Sequence, residues 1–353
     1  MEKCYTYDDV NIIPKYSEIR SRGEVSLDTK FTRRTRLSLP IVSAPMDTIT
    51  ESDMAIGMMS MGGVGVIHRF LSIEKQALEV ERTFQFWETI EPAFESEDEW
   101  LSVPICAAVG VTGDYLERSK ELAGAGCSVL LIDVAHGHHK NVGEAIEQIK
   151  KNIQGVEVIA GNIATGEGAT YLCEKGADGI RAGIGNGSLC ETRIRTGVGI
   201  PTVSSLLDIT NITDRYGIPV IADGGVRSIG DVCKGLGCKA DSVMLGSLLA
   251  GTKETPGSIE KIGEWPNEQL FKKYRGSASL DSKHDRGEEK NVEGNHKVIP
   301  YKGKLKRIIH DIEDGIRSSF SYVGANNMEE FHSKVDFHIV TNAGIIEAKP
   351  HLL

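Results

Sequence analysis

Val129-Leu130-Leu131-Ile132-Asp133-Val134, the stretch 140–153, and then Val156-Glu157-Val158-Ile159-Ala160 decide the fold. The first and last runs are short and almost wholly apolar, with no polar alternation, as in strands covered on both faces. The stretch between them has the amphipathic pattern of a helix. Similar apolar runs recur at 39–44, 64–68, 103–109, 129–134, 156–160, 179–183, 219–222 and 242–245. Helical stretches such as 166–176 separate them. Alternation of this kind means parallel pairing through right-handed crossovers. Eight units over roughly 210 residues suit an α/β fold of the (β/α)8 (TIM) barrel type better than an open sheet.

Punctuation supports the same reading. Met46-Asp47, His68-Arg69, Gly110, Asp133, Asn162, Gly185, Asp223-Gly224-Gly225 and Gly246-Ser247 follow the eight runs. These are the carboxyl ends of the strands, where barrel enzymes place their chemistry. Two segments stand outside the repeat. The stretch 81–99 reads as a surface excursion, and the charged, Gly-containing stretch 276–303 as a mobile flap. A helical pattern resumes over 305–320. Residues 1–353 are thus expected to form one catalytic barrel domain with the flap inside it.

The chain has 353 residues, 40 basic and 50 acidic, for a net charge of −10. No long Lys/Arg run points to nucleic acid or to a membrane surface. No segment approaches the ~18 apolar residues of a membrane span, and the first residues do not read as a signal peptide. Seven cysteines without a C-x-x-C pair argue against a disulfide framework or structural zinc and suit a reducing cytoplasm.

The sharpest local feature is Gly183-Ile184-Gly185-Asn186-Gly187-Ser188-Leu189-Cys190, a glycine-rich loop after the sixth run that ends in a cysteine. Such a loop offers backbone N–H groups to a phosphate, and Ser188 adds a hydroxyl. Cys190 beside it is either a nucleophile or a buried structural thiol. Asp223-Gly224-Gly225 and Gly246-Ser247 end the seventh and eighth runs, the usual phosphate position of this barrel type. Asp223 suits ribose hydroxyls. His136-Gly137-His138-His139 lacks the partners of a metal site and reads as the turn opening a helix. No G-x-G-x-x-G opens a helix, so a nicotinamide cofactor would not bind in Rossmann fashion.

The chain resembles the IMP dehydrogenase / GMP reductase family in Tyr7-Asp8-Asp9-Val10, Ser43-Ala44-Pro45-Met46-Asp47-Thr48, Ile132-Asp133-Val134-Ala135-His136-Gly137-His138, Ala160-Gly161-Asn162, the Cys190 loop, Asp223-Gly224-Gly225, Tyr274-Arg275-Gly276-Ser277 and Pro300-Tyr301-Lys302-Gly303. The resemblance implies that Cys190 attacks C2 of a purine to form a thioimidate. Ser188, Gly225, Gly246, Ser247 and Tyr274 would hold the 5′-phosphate, Asp223 the ribose, Gly224 would belong to the same substrate site, and Ser43 and Met46 would lie near the nucleotide. Gly276, Ser277 and the surroundings of Glu293 would meet the base. Asp133, Val134, Ala135, Ile184 and Gly185 would meet the nicotinamide cofactor. Carbonyls of Gly185, Gly187 and Cys190, with Arg193 nearby, would hold a monovalent cation such as potassium. Asn186 departs from the Pro usual in that loop. The family's homotetramer is expected.

The branch is expected to be the reductase. It converts GMP to IMP and ammonia with NADPH, using Cys190, Thr192 and Glu293, and this chain has no CBS insertion. Water activation in the dehydrogenase branch uses an Arg-Tyr pair on the flap, whereas Gly287 follows Arg286 here. Two alternatives stand beside it. One is an IMP dehydrogenase, converting IMP to XMP with NAD, with an atypical flap. It is suggested by Ser43-Ala44-Pro45-Met46, Gly62-Gly63-Val64-Gly65-Val66-Ile67-His68 and Thr341-Asn342-Ala343-Gly344. The other is a non-catalytic nucleotide-binding barrel.

Overall fold

The computed structural model describes residues 2–90, 103–264, 267–276 and 296–348. Eight parallel strands close into a barrel: β1 (Ile41–Ser43), β2 (Val64–Ile67), β3 (Cys106–Val109), β4 (Val129–Asp133), β5 (Glu157–Ile163), β6 (Gly179–Ala182), β7 (Val220–Asp223) and β8 (Ser242–Leu245). Closure runs through Val243 opposite Ile41, Met244 opposite Val42 and Leu245 opposite Ser43. Each strand falls within an apolar run of the sequence, or overlaps it closely, because both strand faces are covered. Val129, Leu130, Leu131 and Ile132 have no exposed surface.

Helices follow the strands: α1 (Ser52–Met59), α2 (Ile73–Ile90), α3 (Tyr115–Gly124), α4 (Lys140–Asn152), α5 (Gly166–Glu174), α6 (Thr202–Tyr216), α7 (Ile229–Gly237) and α8 (Leu305–Val323). In α4, Val142, Ile146 and Ile149 form a buried stripe, and Lys150 and Lys151 sit in the last turn, where a cation suits the helix dipole. His139 caps the first turn, its Nδ1 accepting from the Asn141 N–H at 3.1 Å. Only residues 68–72 separate β2 from α2, so no CBS domain interrupts that unit. Among the described residues, no helix is long and apolar enough to cross a membrane.

Strand alternation sorts the core into two shells. Val42, Val66, Val129, Leu131, Ile159, Ile221 and Met244 fill the barrel, whereas Ile41, Leu130, Ile132, Ile180 and Val220 face the helices. The same alternation turns Asp133, Arg181 and Asp223 inward near the carboxyl ends of β4, β6 and β7 (with Leu131 and Ile221 as the inward neighbours two residues back). The opposite end is plugged by a hairpin of the strands Thr29–Lys30 and Arg36–Leu37, whose Phe31 and Leu37 enter the barrel core. The buried Glu157 carboxylate fastens this plug. It accepts from Thr35 Oγ1 at 2.7 Å, from the Arg34 N–H at 3.0 Å, and from Thr32 Oγ1.

Two segments differ from the sequence reading. Residues 81–90 belong to the barrel helix α2, because Gln76, Val80 and Thr83 form its buried stripe while Glu81, Arg82 and Glu88 stay outward; residues 91–99 lie outside the described residues. The end of the expected flap is regular structure. Strands β9 (Glu260–Ile262), β10 (Gln269–Arg275) and β11 (His296–Pro300) form an antiparallel sheet, with Tyr274 opposite Lys297 and Lys272 opposite Ile299. Lys272 and Tyr274 alternate inward and are buried. Residues 277–295 of that stretch, with Ser277 and Glu293, lie outside the described residues.

Replacing Glu157 with Ala strands the two buried threonine hydroxyls and the Arg34 N–H. The expected loss is about 2–4 kcal/mol of stability, read as a lower urea midpoint.

Candidate functional site

At the carboxyl ends of the strands lies a cavity of about 410 Å3, large enough for one mononucleotide and within the usual span of ligand sites. Its wall combines the loops after β6, β7 and β8 with Met46, Asp133–Ala135 and Tyr274.

The loop after β6 is held by close backbone approach. A Cβ on Gly183 would stand 1.9 Å from the Asp223 carbonyl oxygen, and the residue has φ +141°. A side chain on Gly224 would meet Asn186 at 2.9 Å. The Gly225 N–H donates to the Asn186 carbonyl at 2.7 Å, stitching this loop to the end of β7. The Cys190 N–H donates to the Gly187 carbonyl at 3.1 Å, a turn that brings the sulfur to the cavity wall. There the Cys190 thiol donates to Thr192 Oγ1 at 3.1 Å. The short helix Thr192–Thr196 starts at that hydroxyl.

Ser188 and Tyr274 share a hydrogen bond of 3.0 Å across the cavity mouth. Burial pushes the Tyr274 phenol above its ordinary pKa, partly opposed by the Ser188 hydrogen bond, so it stays neutral. Arg275, next in the chain, pairs with Asp47 through Nη2 at 2.8 Å, and its N–H donates to Thr48 Oγ1 at 3.2 Å. That clamp joins the end of β10 to the loop after β1.

Deeper in, the Asp223 carboxylate receives Asn162 Nδ2 at 2.7 Å and Arg181 Nε at 3.0 Å, both on Oδ2. Arg181 Nη1 reaches Asp133 Oδ1 at 2.6 Å, and Arg69 Nε stands 3.5 Å from Asp133 Oδ2. Burial would lower the Arg181 pKa, but Asp223 and Asp133 outweigh it and raise it.

The structure therefore gathers most of the expected site residues on one wall: Met46, Asp133, Val134, Ala135, Ile184, Gly185, Gly187, Ser188, Cys190, Thr192, Asp223, Gly224, Gly225, Gly246, Ser247, Tyr274 and Gly276. Ser43 is fully buried instead, its hydroxyl bonded to Thr50 Oγ1 at 2.8 Å behind Ala44. Arg193 lies behind the loop. Its guanidinium donates to Asn186 Oδ1 and, at 2.5 Å, to the Ile200 carbonyl. A positive charge is thus already seated against this loop, and the Gly187 carbonyl is already engaged by Cys190. No group of His, Cys, Asp and Glu able to hold a metal occurs among the described residues. The sequence reading missed Arg181, although a lone charge inside the run Gly179-Ile180-Arg181-Ala182 was a signal. Phe70, also in the wall, gave none.

A barrel whose strand ends combine a glycine-rich loop, a half-buried cysteine and an inward aspartate is of the nucleotide-handling class. The IMP dehydrogenase / GMP reductase domain matches residues 4–351, and the chain belongs to that family, whose members are oxidoreductases acting on purine nucleotides with a nicotinamide cofactor. The chain is 36% identical to inosine-5′-monophosphate dehydrogenase from Cryptosporidium parvum, covering 99% of this chain and 95% of that protein. It is also 36% identical to the Borreliella burgdorferi protein of the same name, covering 99% and 97%. A solved structure of a Cys-to-Ala variant of GMP reductase from Trypanosoma brucei, in complex with guanosine 5′-monophosphate, superposes with TM-score 0.89 at 30% identity, covering 100% of this chain and 98% of that one.

Gly183→Ala is expected to weaken mononucleotide binding by about tenfold or more, because a methyl group at 1.9 Å from a carbonyl oxygen must displace the loop from β7. Isothermal titration calorimetry against wild type reads the change.

Proposed function

We propose that the protein is an NADPH-dependent GMP reductase, forming IMP and ammonia through a thioimidate on Cys190. The nucleotide phosphate lies against the amides of the loops after β6, β7 and β8, with Ser188 and Tyr274 at its edge. Asp223 Oδ1 holds the ribose, since Oδ2 is already taken by Asn162 and Arg181. The base then lies over Cys190. The sulfur adds to C2 as thiolate, and the thiol proton leaves toward Thr192 Oγ1, 3.1 Å away. The 2-amino group takes a proton and departs as ammonia, leaving a carbon–sulfur thioimidate. Thr192 with Glu293 forms the proposed proton relay for that departure. NADPH, held against Asp133, Val134 and Ala135, would supply the hydride to C2. Breakage of the C–S bond returns Cys190 and releases IMP.

The cofactor side fits this assignment. Asp133, Val134 and Ala135 share the cavity wall with Cys190, and the Asp133 carboxylate is fixed by Arg181. The carbonyls of Gly185, Gly187 and Cys190, with Arg193 close behind the loop on Asn186 and Ile200, are the proposed seat of a monovalent cation such as potassium, and no step uses it. The reading carries with it a homotetramer in the cytoplasm.

One observation carries the choice of branch: Gly287 follows Arg286. Hydrolysis of a thioimidate needs an activated water. An arginine with no adjoining phenol lacks the hydroxyl that would relay the proton. The solved neighbour, a GMP reductase in complex with guanosine 5′-monophosphate, supports the same reading. A second reading, oxidation of IMP to XMP with NAD, is favoured by the names of the curated relatives at 36% identity.

A paired absorbance assay tests the two. Loss of NADPH signal with GMP is expected, with no gain of NADH signal from IMP; the reverse result overturns the reductase reading. Cys190→Ala should lower turnover by ~10³-fold or more, and mass spectrometry of intact wild-type protein during turnover should show a nucleotide adduct that the variant lacks.

A further inference from the structure

Among the described residues, Arg181 is the buried cation whose fork joins two strand-end carboxylates across the barrel. It rises from β6, between β5 and β7, and its side chain is 9% exposed. Nη1 meets Asp133 of β4 at 2.6 Å, whereas Nε and Nη2 meet Asp223 of β7 at 3.0 and 2.9 Å. Gly161 leaves room for this, since a Cβ there would stand 2.6 Å from Arg181 Cβ. Asp223 accepts its protein donors on Oδ2 alone among the described residues, so the direction in which Oδ1 faces the cavity is set by Arg181 and Asn162. Asp133, at the end of β4, has its Oδ1 on Arg181 and its Oδ2 near Arg69.

We propose that Arg181 is a positioning residue that couples the nucleotide side of the cavity to the cofactor side, by holding Asp223 and Asp133 on a single rigid guanidinium. The proposal rests on Asp223 facing the nucleotide and Asp133 the cofactor, and is independent of the direction of the redox step. The physical basis is the fork. A planar guanidinium satisfies two carboxylates at once, and weakening its hold on one alters its seat on the other. An ammonium is a point charge that engages one carboxylate well. In a pocket of low dielectric, neither acid can be left without its partner at small cost. Asp133 therefore acts on nucleotide binding from across the barrel, without touching the nucleotide.

Calorimetric titration of GMP and of IMP, with no cofactor present, tests this on wild type, Asp133→Asn, Arg181→Lys and the double variant. Asp133→Asn should weaken mononucleotide binding by about three- to tenfold, and Arg181→Lys by about tenfold or more. The double variant should bind no more weakly than Arg181→Lys alone, because the effect of Asp133 travels through that side chain. An unchanged dissociation constant in Asp133→Asn, or losses that simply add in the double variant, overturns the coupling. Thermal melts monitor folding. If Arg181→Lys does not fold, the isosteric Asp133→Asn decides alone, with a weakened constant supporting the proposal and an unchanged one overturning it. Wild type binding neither nucleotide would overturn the functional reading and the coupling with it. Binding by wild type that Asp133→Asn leaves intact removes only the coupling.

Discussion

The Asp223 carbonyl oxygen occupies the space where a side chain on residue 183 would begin, 1.9 Å from where its Cβ would stand. This contact between the ends of β6 and β7 governs the chemistry-bearing half of the molecule. With no side chain at 183, the chain can turn back across the end of β7. Asn186 then meets Gly224, its carbonyl takes the Gly225 N–H, and the short turn from Gly187 carries Cys190 to the cavity wall. Any residue larger than glycine would separate the two strand ends and move the sulfur away from Asp223. The position of the Cys190 sulfur is thus set by a backbone contact between the ends of two neighbouring strands, not by the loop's own preferences.

The two ends of the barrel treat buried charge differently. At the amino end, Glu157 is satisfied wholly by its own chain, through Thr32, Thr35 and the Arg34 N–H, and it anchors a plug that seals the core. At the carboxyl end, Arg181 lies between Asp133 and Asp223, with Arg69 alongside, so the group is close to neutral yet faces a cavity. Charges of this kind cost stability to bury and repay it only when every hydrogen-bonding position is filled. A carboxylate oxygen directed into the cavity is therefore a group prepared for a ligand. This is the division between a stabilising face and a working face expected of such barrels.

Much of this architecture was legible in the sequence. The eight strands showed because a parallel strand covered on both faces has no polar alternation to blur its apolar run. The wall of the cavity showed because strand ends need Gly, Asp or Asn, and these residues stand out after Val- and Ile-rich runs. Direction was harder to read. Ser43 has the right residue type at the right strand end, but strand alternation and Thr50 turn its hydroxyl away from the cavity. Arg181 was hidden for the opposite reason. An arginine in an apolar run looks like an interruption, and only the registers placing Gly161 and Ile221 on either side show that it has acid partners within reach. The strand His296–Pro300 was hidden in a charged stretch because an edge strand packs only one face and needs little apolar content.

Placement of sulfur explains why the proposed chemistry falls to a cysteine on a loop. Cys106, Cys127, Cys173, Cys233 and Cys238 are buried against the barrel or its helices. Burial pushes the Cys127 and Cys238 thiols up to about 12 and those of Cys173 and Cys233 to about 11, which removes them as nucleophiles near neutral pH. A thiol that must ionise and then meet a purine has to leave the core while remaining fixed in direction, and the Gly187–Cys190 turn with the Thr192 hydroxyl does both. In the proposed reading, the barrel brings sulfur and C2 together and seats the cofactor beside them. Whether the adduct next meets hydride or water depends on what the segment bearing Arg286 and Gly287 can activate. In that reading, relatives with different names can share one barrel fold and differ in the residues that follow Arg286.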